Sequence, residues 1–262
     1  MPAHAIDLTG KTVLITGATS GLGRHFARVV TGAGARVAVT GRRVERLNEL
    51  CAEITANGGR AFPAALDLQS LASIGPVVEA CEAELGPIDI LINNSGISSP
   101  SRAIDVTPEI YDEIFNTNLR GAFFMATEVA RRMMARRKAG AQSTGKIINI
   151  ASVAVHTLLP NLTLYNMTKA SMGMMTKALA REWARQGINV NAICPGYVET
   201  EMNDTWFQSE PGKAQIASFL RRRLAVESDL DGMLLLLCSD QSDKITGTVV
   251  SVDDGQSLLG LG

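Results

Sequence analysis

Thr16-Gly17-Ala18-Thr19-Ser20-Gly21-Leu22-Gly23 is the stretch of this sequence that decides its fold. It follows a short apolar run that is typical of a strand and opens an amphipathic pattern that is typical of a helix. Glycines permit a tight turn, and the free N–H groups of a helix N-terminus attract a pyrophosphate. The spacing Gly-x-x-x-Gly-x-Gly differs from the better-known Gly-x-Gly-x-x-Gly. The stretch predicts a dinucleotide-binding turn, which we favour over a plain glycine-rich turn.

Apolar runs and helical patterns alternate outward from this turn through most of the chain. The predicted strands are Thr12–Thr16, Arg36–Thr40, Arg60–Leu66, Ile88–Ile92, Lys146–Ile150, Asn189–Ile193 and Thr248–Val252. The predicted helices are Gly21–Gly32, Val44–Ala56, Ser70–Leu85, Pro108–Lys138 and Thr163–Gln186. Short, continuous apolar strands are typical of a sheet that is covered on both faces. The alternation therefore predicts an α/β fold with a Rossmann-type, doubly wound parallel sheet of about seven strands.

Two segments interrupt the alternation without dividing the chain. Ser98–Thr107 is a Ser/Pro-rich loop, and Tyr197–Leu230 is a longer irregular insertion. We found no repeat, low-complexity tract or linker, so residues 1–262 are predicted to form a single dinucleotide-binding and catalytic domain, with a substrate loop at about 197–230. Ligands bind beyond the carboxyl ends of the strands in such a sheet. Both segments are therefore expected to line one crevice.

The composition excludes several classes of function. The net charge is −1, which gives no reason to expect a nucleic-acid or membrane-surface partner. The four Cys and three His are scattered without metal-ligand spacing, so we expect a reduced, cytoplasmic and metal-free protein. The N-terminus lacks the pattern of a signal peptide, and the apolar stretch Met233–Cys238 is too short to span a bilayer.

One local exception is a basic run near the end of the fourth predicted helix. It consists of Arg131, Arg132, Arg136, Arg137 and Lys138. A solvated helix end is the favoured interpretation, because cations suit the helix dipole there. A docking site for an acidic carrier or partner is the alternative.

The end of the second predicted strand bears on the choice of cofactor. An acidic residue here would hold the ribose 2′-OH of NAD, whereas an Arg accommodates the 2′-phosphate of NADP. This chain has Arg42 and Arg43 and no carboxylate. Guanidinium groups match phosphate well, so we expect NADP(H) in preference to NAD(H). An alternative for Arg43 is that it only begins the next helix, which leaves Arg42 to meet the cofactor.

Tyr165 and Lys169 form a candidate acid–base pair. They are four residues apart at the start of a predicted helix and so share a face. An ammonium near a phenol favours the phenolate, and we therefore expect the pKa of Tyr165 to be lowered. Tyr111 and Tyr197 are followed at the same spacing by Phe115 and Glu201, so only Tyr165 has such a partner.

Further motifs follow the predicted strands in order. They are Asp67-Leu68 after the third, Asn93-Asn94-Ser95-Gly96 after the fourth, Ser152 after the fifth and Pro195-Gly196 after the sixth, with Asn118 in the helix between the fourth and fifth. With the glycine turn and the Tyr-Lys pair, they make the chain similar to the short-chain dehydrogenase/reductase family, in its single-domain branch. The resemblance extends from about Leu8 to Gly255.

The resemblance implies an NAD(P)-dependent oxidoreductase that interconverts a carbonyl and a secondary alcohol by hydride transfer. Tyr165 would be the general acid/base, Ser152 would hydrogen-bond the substrate oxygen, and Asn118 would bend its helix and hold a water that feeds protons to Lys169. Asn94 would support the backbone at the nicotinamide. The residues expected to bind the cofactor are Gly17, Thr19, Ser20, Gly21, Leu22, Gly23, Arg42, Asp67, Leu68, Asn94, Gly96, Tyr165, Lys169, Pro195, Gly196, Val198 and Thr200.

The sequence departs from the family pattern at three places. Ser95 replaces the usual Ala, Asp254 replaces the first Gly of Val-Asp-Gly-Gly, and Ala225-Val-Glu-Ser-Asp lacks the usual Pro. The second departure lies in a turn that often borders a subunit interface. The resemblance also implies a homotetramer or homodimer that associates through the helices 108–138 and 163–186.

The substrate is expected to be a small carbonyl or alcohol of fairly apolar character. Val153–Leu164 is mostly apolar, and the insertion carries Met202, Trp206, Phe207 and Phe219. His156 is expected to be a bystander, and the apolar residues could instead pack beneath a lid. A 3-oxoacyl (carrier protein or CoA) reductase is a sharper alternative, with the basic run as the carrier's docking site. A non-catalytic dinucleotide-binding regulator is the alternative of another class, which intact Asn118, Ser152, Tyr165 and Lys169 argue against.

Overall fold

A single sheet of parallel strands organises the protein, seen in a computed structural model that describes residues 6–141, 143–199 and 204–258. Its order is β3-β2-β1-β4-β5-β6-β7. The strands are β1 Thr12–Thr16, β2 Arg36–Gly41, β3 Arg60–Ala65, β4 Ile90–Asn93, β5 Gly145–Ile150, β6 Ile188–Pro195 and β7 Val249–Val252. The predicted Rossmann-type fold is therefore confirmed, with strand ends within two residues of those expected.

Helices cover the sheet and connect its strands. They are α1 Gly21–Gly32, α2 Val44–Ala56, α3 Ile74–Leu85, α4 Pro108–Phe115, α5 Gly121–Lys138, α6 Thr163–Trp183, α7 Asp204–Gln208, α8 Glu210–Ser218 and α9 Asp231–Cys238. Within the part of the chain described, none of them is both long and apolar enough to cross a membrane.

Three of the predicted helices are less regular than the sequence pattern indicates. The helix expected over 108–138 is two helices joined by a π-helical turn at Asn116–Arg120. The helix expected from Ser70 starts with a 3-10 turn at Leu71–Ser73, and α6 gives way to a 3-10 turn at Ala184–Gln186. Hydrophobic periodicity does not register such changes, because they shift the repeat by less than one residue.

The core lies in two layers on either side of the sheet. In β1, Val13 and Ile15 pack into one layer, which includes Phe26 of α1 and Leu47 of α2. Leu14 points to the other layer, with residues of α3, α5 and α6. Alternate residues of a strand face opposite sides, so both layers draw on every buried strand. This double coverage explains why the strands read as continuous apolar runs.

The strand order changes direction between β1 and β4. The chain runs outward from β1 through β2 and β3, and then returns to place β4 on the other side of β1. In doubly wound sheets this switch point opens the crevice where ligands bind. The glycine turn after β1 and the Asn93-Asn94-Ser95-Gly96 segment at the end of β4 therefore meet at one edge of the sheet.

Candidate active site

The glycine turn is shaped by contacts that exclude larger side chains. Gly17 has φ of 70°, and a Cβ there would lie 2.8 Å from Ser95 Oγ. A Cβ on Gly23 would lie 2.3 Å from the Gly17 oxygen and 2.4 Å from Asn94 Nδ2. Gly21 also has positive φ, at 50°. The turn is therefore a tight backbone cradle at the N-terminus of α1.

Asn94 fixes this cradle to the neighbouring strand. Its Nδ2 donates to the carbonyl oxygens of Thr16 and Gly17, at 3.0 and 3.1 Å. Its backbone N–H donates to Thr16 Oγ1 at 3.0 Å, and the same hydroxyl accepts from Ser95 N at 3.1 Å. The side chain of Asn94 thus supports the phosphate turn, in addition to the nicotinamide-side role that the resemblance implies.

Arg43 is a site residue that the sequence reasoning underestimated. It is the N-cap residue of α2, as its alternative assignment states, yet its guanidinium also reaches back to the glycine turn. Arg43 Nη2 donates to Thr19 Oγ1 at 2.6 Å and to Ser20 Oγ at 2.9 Å. A cation is therefore placed against the turn that would hold a phosphate. The hydroxyls of Thr19 and Ser20 were the signal that could have identified this contact.

The remaining predicted cofactor residues on this side also lie around the crevice. Arg42 is exposed at the end of β2. Asp67 follows β3, and its Oδ1 accepts from Gln69 N at 3.0 Å. Leu68 is buried against α5, where a Cβ on Gly121 would lie 2.5 Å from Leu68 Cβ. Leu22 packs against the core beneath α1.

Tyr165 lies near Ser152, at the carboxyl end of β5. Ser152 is buried, and its Oγ accepts from Ala154 N at 3.1 Å. Burial raises the pKa of Tyr165 above its usual value of 10.0, although a hydrogen bond with Ser152 opposes this effect. The expectation that Lys169 lowers the pKa of Tyr165 is therefore wrong, because the residues around Tyr165 raise this pKa on balance. The reason is that loss of solvent around the phenol outweighs the hydrogen bond that favours the phenolate.

Lys169 is turned toward the backbone of β5. It is 3% exposed, and its Nζ donates to the Ile150 oxygen at 2.8 Å. Nζ also lies 5.6 Å from the centroid of the Tyr165 ring. Burial lowers the pKa of Lys169 from 10.5 to about 8. The amine can therefore gain and lose a proton near neutral pH. A Cβ on Gly96 would be 3.3 Å from this nitrogen, so glycine leaves room for it.

Asn118 lies in the π-helical turn and is fully buried. Its Oδ1 accepts from Ile97 N at 2.8 Å, and its Nδ2 donates to the Ile97 oxygen at 2.8 Å. Nδ2 also donates to Thr168 Oγ1 at 3.2 Å, next to Lys169 in the chain. π-Helical turns are frequent at functional sites. This turn aims Asn118 at the loop after β4 and at the helix that carries Tyr165 and Lys169.

The turn after β6 closes the crevice on its far side. Pro195 ends the strand, and a Cβ on Gly196 would lie 2.5 Å from Gln256 Oε1. Val198 is buried and pairs with Ala225 in an isolated parallel bridge. Thr200 and Met202 lie outside the described residues. The insertion, which these two residues belong to, is therefore described only before residue 200 and from residue 204 onward.

The departure at Asp254 has a structural counterpart. Asp254 has φ of 55°, in the left-handed region that favours the family's glycine. Its carboxylate lies 3.2 Å from Arg221 Nε and 2.6 Å from Arg223 Nε. These ion pairs connect the C-terminal turn to the insertion, which a glycine at this position could not do.

The apolar residues of segment 153–164 mostly pack against one another. Val153, Ala154 and Leu159 are buried together, with Tyr165 and Tyr197 packed against them. His156 is exposed, which agrees with its expected bystander role. The packing follows the alternative in which these residues lie beneath a lid, and it weakens the argument for an apolar substrate. Tyr197 was not among the predicted site residues, although its place directly after Pro195-Gly196 was a usable signal.

The basic run is largely neutralised by the chain's own carboxylates. Arg132 and Arg136 pair with Glu82, with N–O distances of 3.1 and 3.3 Å. Arg131 and Arg132 both pair with Glu128, a neighbour on α5. The run therefore connects α5 to α3, which weakens its interpretation as a docking surface for an acidic carrier.

Comparisons with known proteins agree with this geometry. The family model for short chain dehydrogenases matches residues 11–211. The chain is 36% identical to a galactitol 2-dehydrogenase from Agrobacterium fabrum, across 95% of this chain and 98% of that protein. A structure of a gluconate 5-dehydrogenase from Burkholderia cenocepacia J2315, in complex with NADP and tartrate, has a TM-score of 0.91, 32% identity and coverage of 97% and 98%.

A structure of a putative short-chain alcohol dehydrogenase from Sinorhizobium meliloti 1021 gives the same result. It has a TM-score of 0.89 and 37% identity, and the alignment covers 96% of this chain and 98% of that one. Sequence and fold thus agree over almost the whole length. The chain belongs to the short-chain dehydrogenase family.

Proposed function

We propose that the protein is an NADP(H)-dependent oxidoreductase that interconverts a carbonyl group and a secondary alcohol. The observation that carries this proposal is the convergence of Ser152, Tyr165 and Lys169 at the edge of the sheet where the glycine turn lies. A protein that only binds a dinucleotide has no need of such a group of proton donors and acceptors. The non-catalytic alternative is therefore the weaker one.

The residues around the crevice fit a nicotinamide dinucleotide. Gly17 and Gly23 form a cradle that a Cβ would fill, at the N-terminus of α1. We propose that this cradle holds the pyrophosphate, that Asp67 and Leu68 flank the adenine, and that the segment from Pro195 to Val198 flanks the nicotinamide. When bound, the cofactor would supply or accept the hydride of the reaction.

The choice of NADP(H) over NAD(H) is supported by two arginines at the end of β2. Arg43 contacts Thr19 and Ser20, and Arg42 is exposed beside it. Two guanidinium groups without a carboxylate suit a 2′-phosphate. The gluconate 5-dehydrogenase of Burkholderia cenocepacia, to which the chain is similar, was solved with NADP.

In the proposed mechanism, Tyr165 donates a proton to the substrate oxygen during reduction and accepts one from it during oxidation. The backbone N–H of Ala154 donates to Ser152 Oγ, and we propose that the Ser152 hydroxyl, which bonds Tyr165 in the protein alone, donates to the same substrate oxygen when substrate is bound. That hydrogen bond strengthens as charge develops on the oxygen in the transition state. The pKa of Tyr165 is raised by burial, so the phenol is in its protonated form in the protein alone and is ready to act as the acid.

Lys169 is proposed to return the proton to Tyr165 and to bind the nicotinamide ribose. Its pKa of about 8 suits an amine that gains and loses a proton near neutrality. Asn118 is proposed to hold a water that connects this amine to solvent, as the family resemblance implies. Its side chain is bonded on both atoms to Ile97, which fixes its orientation in the π-helical turn.

Two further properties are proposed from the same features. The four Cys are free and buried, which suits a reduced, cytoplasmic protein.

Two helices carry exposed apolar residues, which are Phe123 and Phe124 on α5 and Met167 and Met174 on α6. We propose that these two helices form the interface of a homodimer or homotetramer, which light scattering on the purified protein would test.

The experiment that tests the function is a screen of NADPH against NADH with a panel of carbonyl substrates, read by cofactor fluorescence. We expect NADPH-dependent reduction of at least one ketone, and loss of that activity in Tyr165→Phe with NADPH binding retained. Absence of turnover across the panel, with normal NADPH binding, would support the non-catalytic alternative. A clear preference for NADH would contradict the role of the two arginines.

A further inference from the structure

Tyr197 is a second phenol beside the proposed proton donor. It follows the Pro195-Gly196 turn and packs, with Tyr165, against Val153, Ala154 and Leu159. The two phenols are close enough for a charge on Tyr197 to disfavour ionisation of Tyr165. The ring of Tyr197 thus lies at the wall of the crevice, where a substrate bound to Tyr165 would meet it.

The backbone of Tyr197 is held on both sides. Its N–H donates to Gln256 Oε1 at 2.8 Å, and its carbonyl oxygen accepts from Ala225 N at 2.9 Å. Gln256 is itself buried, and Ala225 belongs to the bridge with Val198. The position of the ring is therefore set by the end of the sheet, although the residue begins the insertion. A side chain placed in this way is suited to orient a ligand.

The ring is also clamped by two aromatic residues of the insertion. It stacks on Phe219, with ring centroids 5.4 Å apart, and meets Phe207 edge-on at 5.6 Å. Both phenylalanines are 6% exposed. Phe219 covers one face of the ring, and the hydroxyl is the polar end of an otherwise apolar group.

Gln215 lies near the hydroxyl of Tyr197. The Gln215 Oε1 accepts from Trp206 Nε1 at 2.8 Å, which directs the amide of Gln215. Burial raises the pKa of Tyr197, and a side-chain hydrogen bond with Gln215 opposes this shift. The phenol therefore keeps its proton, which it can donate to a ligand.

We propose that Tyr197 determines specificity by donating its hydroxyl proton to a second oxygen of the substrate, on a carbon near the reacting one. The site then selects hydroxy-ketones and polyols over simple ketones of the same size. A buried polar group that is left unpaired by the wrong substrate is the physical basis of such selection. This inference rests on the proposed function and names the substrate class for that same site.

The test compares three ketones that share a four-carbon skeleton: 2-butanone, acetoin and erythrulose. The kcat and KM for NADPH-dependent reduction are measured for the wild type, Tyr197→Phe and Gln215→Leu. Tyr197→Phe keeps the ring that packs against Phe207 and Phe219, so folding is not expected to change. We expect it to lower kcat/KM for erythrulose by about tenfold or more, mainly through KM, and for 2-butanone by less than about threefold.

Gln215→Leu should give a smaller change in the same direction, because it leaves the phenol but frees its orientation. An equal loss of kcat/KM for all three ketones in Tyr197→Phe would show a purely structural role and overturn the inference, as would unchanged kinetics with erythrulose. A wild-type preference for 2-butanone would overturn it too and would restore the apolar substrate. If the wild type reduces no ketone in the screen, the proposed function has failed, and this inference fails with it.

Discussion

Lys169 holds its Nζ 2.8 Å from the Ile150 carbonyl oxygen and 5.6 Å from the centre of the Tyr165 ring. The amine is therefore anchored to the end of β5 while it remains within electrostatic reach of the phenol. The pKa values of the two side chains shift in opposite directions, because burial raises the pKa of Tyr165 and lowers that of Lys169. Both shifts favour the neutral forms. Burial thus disfavours the phenolate of Tyr165 and the ammonium of Lys169 alike.

Removal of the Tyr165 hydroxyl should abolish most of the activity. We expect Tyr165→Phe to lower kcat by about 10²–10⁴-fold, the usual contribution of a general acid/base. Steady-state reduction of the best ketone from the screen provides the measurement. NADPH affinity, followed by fluorescence, should change little. Tyr111→Phe is the matched control, since Tyr111 is an exposed phenol on α4 that stacks on Phe115. A kcat for Tyr165→Phe within threefold of the wild type would refute the proposed role.

Burial of Lys169 should make stability depend on pH above neutrality. Its pKa is about 8 in the folded protein and near 10.5 when unfolded, so the unfolded chain binds more protons in this interval. Stability from this group is therefore lost as the pH falls through about 8 and is fully present above 10.5. Relative to Lys169→Met, the wild type should gain up to about 1.4 kcal/mol of unfolding free energy per pH unit within the interval.

Urea unfolding of both proteins at pH 7.5 and 9.5 measures this gain. The difference between the two proteins cancels contributions from the buried cysteines that Lys169 does not influence, whereas Cys194 interacts with Lys169 and contributes to the measured coupling. Lys177→Met is the matched control, because Lys177 is exposed on the same helix and should show no such trend. A difference between the wild type and Lys169→Met that stays constant across this range contradicts the assignment.

The glycine turn gives a steric prediction. Gly23→Ala would place a Cβ 2.3 Å from the Gly17 oxygen and 2.4 Å from Asn94 Nδ2, both of which belong to the turn. The turn must open to relieve this contact, so we expect NADPH affinity to fall at least about tenfold and the protein to be destabilised. Gly32→Ala, on the same helix with open space around the new Cβ, should leave affinity unchanged and raise stability by up to about 1 kcal/mol. Similar behaviour of the two variants would rule out the steric explanation.

Arg43 should determine the preference for NADPH. Its guanidinium lies against Thr19 and Ser20, so Arg43→Ala removes a cation from the place proposed for the 2′-phosphate. We expect KM for NADPH to rise about tenfold or more and KM for NADH to change less than about threefold, because NADH lacks that phosphate. Arg28→Ala is the control. Arg28 lies further along α1 and pairs with Glu53 of α2. Equal losses with both cofactors would mean that Arg43 only supports the turn.

Much of the fold and part of the site followed from local sequence. The seven strands could be predicted because each is a short apolar run next to a helical pattern, whereas their order in the sheet is known only from the structure. Ser152 and Asn94 were recognised through the family resemblance, which places them after the fifth and the fourth strand. The π-helical turn around Asn118 could not be predicted, because it preserves the apolar pattern on both sides.

By itself, the sequence determined the fold class, the glycine turn and the Tyr165–Lys169 pair, all of which depend on neighbours along the chain. Only the tertiary structure decided how the remaining groups act. Burial reversed the expected direction of the Tyr165 pKa, Glu82 paired with two arginines of the basic run, and aromatic packing placed Tyr197 in one cluster with Tyr165. These outcomes depend on solvent exclusion and on partners distant in sequence. Desolvation and long-range charge pairing arise only when the elements pack together.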